Sequence, residues 1–160
     1  MKNKSINHPK YLNLAIKLAV DNTDNDGGPF GAVIVKDGEV ISSGVNQVTG
    51  NSDPTAHAEV QAIRSATKKF KHFQLKGCVL YSSCEPCPMC LGAIYWAGIE
   101  KVYFASNRHD AEEAGFSDAL IYREISLPIE KRELPTFNLK TENAGAEFKA
   151  WNNKDNKITY

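Results

Sequence analysis

The stretch GCVLYSSCEPCPMCLGAIYWAG, Gly77 to Gly98, decides how this chain is read. It begins as a short apolar run, breaks at Cys84-Glu85-Pro86, and resumes as an apolar segment ending at Gly98. This pattern predicts a buried strand over residues 77–83 and a helix opening at Cys87. Pro88 is tolerated in the first helical turn, where no N–H is needed, and a glycine beyond the last turn stops the helix. Cys84, Cys87 and Cys90 stand at three-residue spacing across the break. Such a triplet can bind a structural zinc, ligate an iron–sulfur cluster, hold a catalytic metal or form a disulfide.

Working outward, residues 9–22 place Leu12, Ala15, Ile16 and Ala19 at helical spacing. Residues 22–29, NTDNDGGP, read as a loop. FGAVIVKDGEVISSGVN, residues 30–46, gives two β-rich runs around Asp37-Gly38, a strong hairpin signal. AHAEVQAIRSATKKF, residues 56–70, predicts a helix with Val60, Ile63 and Ala66 or Thr67 facing inward. KVYFAS, residues 101–106, is a further strand. Residues 110–124 and 142–153 have helical character, and Pro128 and Pro135 punctuate the segment between them. The order helix, hairpin, helix, strand, helix, strand predicts an α/β fold with a mixed sheet covered by helices on both faces. Strands joined by helical crossovers are expected to run parallel.

At 160 residues the chain is expected to form a single domain with a proper core. Hydrophobic residues make up 42% and charged residues 24%, which is the balance of a soluble globular protein. The formal net charge of zero gives no strong electrostatic footprint for nucleic acid, although such a balance is compatible with a local basic patch. The polar start MKNKSINHPK has no apolar h-region, and no run is long enough to span a membrane. A cytoplasmic location with no membrane partner is the expectation. Thiols stay reduced there, which disfavours the disulfide.

An iron–sulfur cluster needs a further cysteine, and Cys78 lies inside the apolar strand, where cysteine serves as a small hydrophobe. Cys87 and Cys90 sit one turn apart at a helix start, where free N–H groups and the helix dipole favour thiolates. Cys84 precedes Pro86 and need not face the same point. A second helix start, TAHAEVQAI, carries His57 and Glu59. Two thiolates, one imidazole, an open fourth position and a free carboxylate describe a water-activating metal centre. A closed Cys₃His site that includes Cys84 would instead describe a structural-zinc binding module. H-x-E or C-x-x-C alone is a weak signal, but the ordered combination is specific.

His57-Ala58-Glu59 with Pro86-Cys87-Pro88-Met89-Cys90 resembles the zinc signature of the cytidine deaminase-like superfamily. GPFGAVIV, DPTAHAEVQAIR, SSCEPCPMCLGAIYWAG and AEEAGFSDALIY resemble the small bacterial guanine deaminases, from about Phe30 to the C-terminus. The resemblance implies a three-layer α/β/α fold and hydrolysis of guanine to xanthine and ammonia. It implies one Zn²⁺ per subunit on His57, Cys87, Cys90 and water, with Glu59 as the proton shuttle and Cys84 outside the shell. It assigns Asn46, Phe30, Ala58, Asp118 and Tyr160 to base binding. It also implies a homodimer in which an arm from about residue 124 to residue 160 is swapped, so that Tyr160 closes the neighbour's pocket. Composition alone would read Asn46 as a turn residue, Phe30 as core, Asp118 as a cap and Tyr160 as a frayed end.

Two related activities compete. The tRNA adenosine deaminases carry a small-residue loop like T-G-A-A-G-S where this chain has DAEEAGFSD, residues 110–118. The C-terminal FKAWNNKDNKITY is not the strongly basic helix that RNA binding favours. The basic run KKFKHFQLK, residues 68–76, reads as a solvated helix end. A deaminase of free cytosine would use the same zinc.

Overall fold

A computed structural model describes residues 7–25 and 27–159. They divide into two compact units, with the boundary between Ala119 and Leu120.

The first unit is built on one sheet. Helix α1 (His8–Thr23) leads through a loop to the hairpin β1 (Gly31–Lys36) and β2 (Glu39–Val45). Asp37 and Gly38 both have positive φ, 51° and 80°, as a tight hairpin turn requires. A short helix α2 (Val48–Asn51) precedes α3 (Ala58–Phe70). Then come β3 (Cys78–Cys84), α4 (Pro88–Trp96), β4 (Lys101–Ser106) and α5 (Arg108–Glu113). The strand order is β2-β1-β3-β4. β1 runs antiparallel to both neighbours, and β3 runs parallel to β4. β2 and β3 therefore run the same way. Both helical crossovers, through α3 and α4, join parallel strands as expected.

Alternation along the strands assigns the faces. Val33, Val35 and Tyr81 pack with Tyr11 and Ala15 of α1. Ala32, Ile34, Cys78 and Leu80 pack with Ala58, Ala62 and Ala66 of α3 and with Ile94 of α4. The sheet is thus covered on both sides. Two glycines let the helices approach. A Cβ on Gly31 would stand 2.4 Å from the Ala15 carbonyl oxygen of α1, and one on Gly44 would stand 2.3 Å from the Ala58 carbonyl oxygen of α3. Gly44 thereby seats the first turn of α3 directly on the sheet.

Three details differ from expectation. Residues 110–124 form two helices, α5 and α6 (Ala119–Ser126), because Gly115 at φ 91° ends the first. The inward face of α3 includes the fully buried Ala62, a residue small enough to escape notice as core. The short helix α2 gave no periodic signal.

In the second unit, Pro128 caps a 3₁₀ turn (Ile129–Lys131), and α7 (Ala146–Asn152) follows. Arg123 pairs with Glu133, and the Glu133 amide donates to the Glu124 carboxylate at 2.6 Å. No helix among the described residues is long and apolar enough to cross a membrane.

Candidate metal centre

The centre lies at two helix N-termini. His57 is the N-cap of α3 and Cys87 the N-cap of α4, both in extended backbone, with no side-chain capping bond from either. Their side chains are therefore available elsewhere. The approach to α3 is fixed by Asp53, whose carboxylate accepts from the Thr55 amide and hydroxyl at 2.8 and 2.7 Å. It is fixed also by the Gln47 amide, which donates to the Ala56 carbonyl at 2.9 Å. Pro88 holds the first position of α4, so Cys90 falls one turn in, on the side of Cys87.

His57 Nδ1 stands 3.5 Å from both Cys87 Sγ and Cys90 Sγ. The three ligand atoms lie within 4.8 Å of one another. A tetrahedral zinc with ordinary Zn–S and Zn–N lengths sets N and S ligands about 3.6 Å apart. The donor set and its spacing therefore fit zinc. Cys84 is not in the cluster. Its thiol reaches the Asn107 carbonyl at 3.5 Å instead. Burial, aided by the Glu59 charge, pushes that thiol up to about 11.

The protons of the cluster by themselves follow from the same geometry. Hydrogen bonds from Cys90 and then from His57 bring the Cys87 thiol down to about 4, against its desolvation. Sharing its proton with Cys87, together with burial, pushes Cys90 up. The hydrogen bond to Cys87 raises His57. Metal ligation thus has to release protons, as it does at thiolate–imidazole sites generally.

Glu59, on the first turn of α3, is buried beside this cluster, and desolvation raises its pKa. Its Oε2 lies 3.4 Å from Cys90 Sγ, and its Oε1 accepts from the Ser82 hydroxyl at 3.1 Å. A buried carboxyl with a raised pKa next to a metal ligand set can carry protons. Ala58, the first residue of α3, is fully buried.

Asn46 and Phe30 flank the paired ends of β2 and β1, at the same end of the sheet. Asn46 is buried one residue from the Gln47–Ala56 bond, and its side-chain oxygen accepts from the Val48 amide at 3.3 Å. Its backbone amide donates to the Phe30 carbonyl at 3.1 Å, which ties the two residues together. Phe30 meets Phe116 edge-to-face with centroids 5.0 Å apart. Asp118 is half-buried. Its pKa is raised by desolvation and by the Cys87 charge. Tyr160 lies outside the described residues.

Two residues were not found from sequence. Ser82 sits in the quoted motif, but only the strand's parity aims it at Glu59. Asn22 closes α1 and spends both amide protons on the carbonyls of Gly28 and Asn46, at 2.9 and 2.8 Å. It staples the loop that leads to Phe30. In sequence it reads as an ordinary helix-end asparagine.

The family described as the cytidine and deoxycytidylate deaminase zinc-binding region matches residues 5–106. The chain belongs to this zinc-binding deaminase family. Guanine deaminase of Bacillus subtilis (strain 168) is 51% identical over 156 residues, covering 97% of this chain and 100% of the relative. The X-ray structure of guanine deaminase from Bacillus subtilis superposes with a TM-score of 0.94 at 52% identity, covering 96% of this chain and 99% of that one. A tRNA-specific adenosine deaminase of Aquifex aeolicus is 43% identical over 96 residues, covering 60% of this chain and 64% of the relative.

Proposed function

We propose that this chain is a zinc-dependent guanine deaminase, which hydrolyses free guanine to xanthine and ammonia. The observation that carries the reading is the match to a guanine deaminase along 97% of the chain. A tRNA-specific adenosine deaminase that matches 82% of the chain is only 32% identical to it, against 51% for the guanine deaminase.

His57, Cys87 and Cys90 are the zinc ligands in this reading. The chemistry that zinc supplies in a three-ligand protein site is the acidification of water to a nucleophile at neutral pH. Glu59 takes the proton of the attacking water, passes it to a ring nitrogen, and delivers a proton to the departing amino group. The last delivery is the one chemistry demands, because NH₂⁻ is a very poor leaving group and ammonia a good one. Asn46 has an amide able both to donate and to accept, and so suits the purine edge. Asp118 accepts from a guanine N–H, Phe30 packs on the base, and Ala58 lines the pocket at the start of α3.

The working molecule in this reading is a cytoplasmic homodimer. Its arm, from about residue 124, crosses to the partner, where Tyr160 closes the pocket. Support comes from exposed apolar side chains: Leu134, Phe137 and Leu139 are 74–81% exposed, and Tyr95 stands out from the apolar helix α4. Four free cysteines suit a reducing compartment.

The test is ammonia release by zinc-loaded protein from guanine, guanosine, cytosine, adenine and a tRNA anticodon stem-loop, with excess tRNA as competitor. Guanine should be turned over, and tRNA should not slow it at physiological salt. Adenosine-to-inosine conversion in the stem-loop, with none on guanine, would transfer the chain to the tRNA-editing branch.

A further inference from the structure

We infer that Ser82 is a positioning residue for Glu59, fixing the carboxylate so that one oxygen stays turned toward the metal ligands. The inference rests on the deaminase reading above. Ser82 follows Cys78 and Leu80 on the α3 face of β3, so the strand's own alternation aims its hydroxyl at the first turn of α3. Ser82 is 2% exposed and Glu59 6%, so water does not compete for the bond. The hydroxyl donates to Oε1 at 3.1 Å, which leaves Oε2 beside Cys90 at 3.4 Å.

Two side chains thus hold the carboxylate, one on each oxygen. The Ser82 bond restrains the carboxylate from turning about its last torsion, which is otherwise broad and two-fold. Partners behind a metal site orient the groups that act there, and removing them costs activity with the metal in place.

The test is a double-mutant cycle on zinc-loaded protein. Ser82→Ala should lower kcat about tenfold, the effect of losing one hydrogen bond to a charged group, with KM changed less than about twofold. Zinc should stay at one per chain. Ser82→Thr keeps the hydroxyl and should hold kcat within about threefold of the parent. Adding Ser82→Ala to Glu59→Gln should change the residual kcat by less than about twofold, because a residue acting through Glu59 has nothing left to position. Crystals of zinc-loaded Ser82→Ala should show the Glu59 carboxylate turned from its parental orientation.

An undiminished kcat in Ser82→Ala, a full second loss in the Glu59→Gln background, or loss of zinc would each overturn the inference. If the parent turns over another base of the panel and not guanine, the substrate reading fails and the cycle is run on that base. If no base is turned over, both readings fail together.

Discussion

Tyr81 and Ser82 carry adjacent buried hydroxyls on strand β3, and they face opposite ways. Tyr81 points to the α1 side, where its hydroxyl meets His8 Nδ1 at 2.8 Å among the rings of Tyr11 and Tyr103. Ser82 points to the α3 side and meets Glu59. The first contact ends in an aromatic cluster with no metal-ligand set near it among the described residues. The second ends at three potential metal ligands. Both are equally buried, so burial does not separate them. What separates them is the element across the sheet: α1 presents its side to β3, whereas α3 and α4 bring their N-termini to the α3 face. Both faces carry core, and the α3 face carries the candidate metal centre as well, so substitutions at these two hydroxyls should divide accordingly.

The largest effect should come from Glu59→Gln. It removes the titrating carboxylate at nearly constant size. Turnover should fall by about two orders of magnitude or more while zinc content and base binding survive. Near-normal turnover would mean that another group moves the protons, and the division between the faces would lose its chemical half.

A smaller but sharp contrast is expected between cysteines of metal-free protein. A thiol at about 4 is already thiolate across pH 6–8, so Cys87 should be alkylated by iodoacetamide at a rate nearly independent of pH there. Cys84, at about 11, should react slowly and faster as pH rises. Mass-spectrometric mapping of the modified peptides checks both. Modification of Cys84 ahead of Cys87 would contradict the proton arrangement.

The smallest effect should be that of Tyr81→Phe. It removes one hydrogen bond from the α1 face and should cost about 1 kcal/mol of stability, read by urea unfolding. Its kcat should stay at the parental value. A loss of turnover without a loss of stability would show that the α1 face takes part in the chemistry.

Much of this division was legible in the sequence, for definable reasons. The helix starts at His57 and Cys87 carry local signals, a preceding turn and a proline, and the metal donors follow from them at fixed offsets. The hairpin was carried by Asp37-Gly38, whose positive φ values are a local requirement. Ser82 was hidden because its role depends on β3 register and on the α3 packing set by Gly44, which are non-local facts. Asn22 was hidden for the same reason, since its partners, Gly28 and Asn46, lie across a loop and a hairpin. Asn46, Phe30 and Asp118 were assigned through the family resemblance alone, because single polar or aromatic residues at element ends carry no chemical signature. The break at Gly115 was missed, since a glycine between two helical segments reads equally well as a tolerated interior residue.

The central claim is that His57, Cys87 and Cys90 hold one zinc on which guanine hydrolysis depends. Its most direct test is titration of metal-free protein with zinc while following xanthine formation from guanine. Turnover should rise in proportion to zinc and stop rising at one equivalent per chain, and Cys84→Ser should give the same break point while Cys87→Ser gives none. Guanine turnover without zinc, or a titration in which Cys84→Ser loses the metal and Cys87→Ser retains it, would contradict the account.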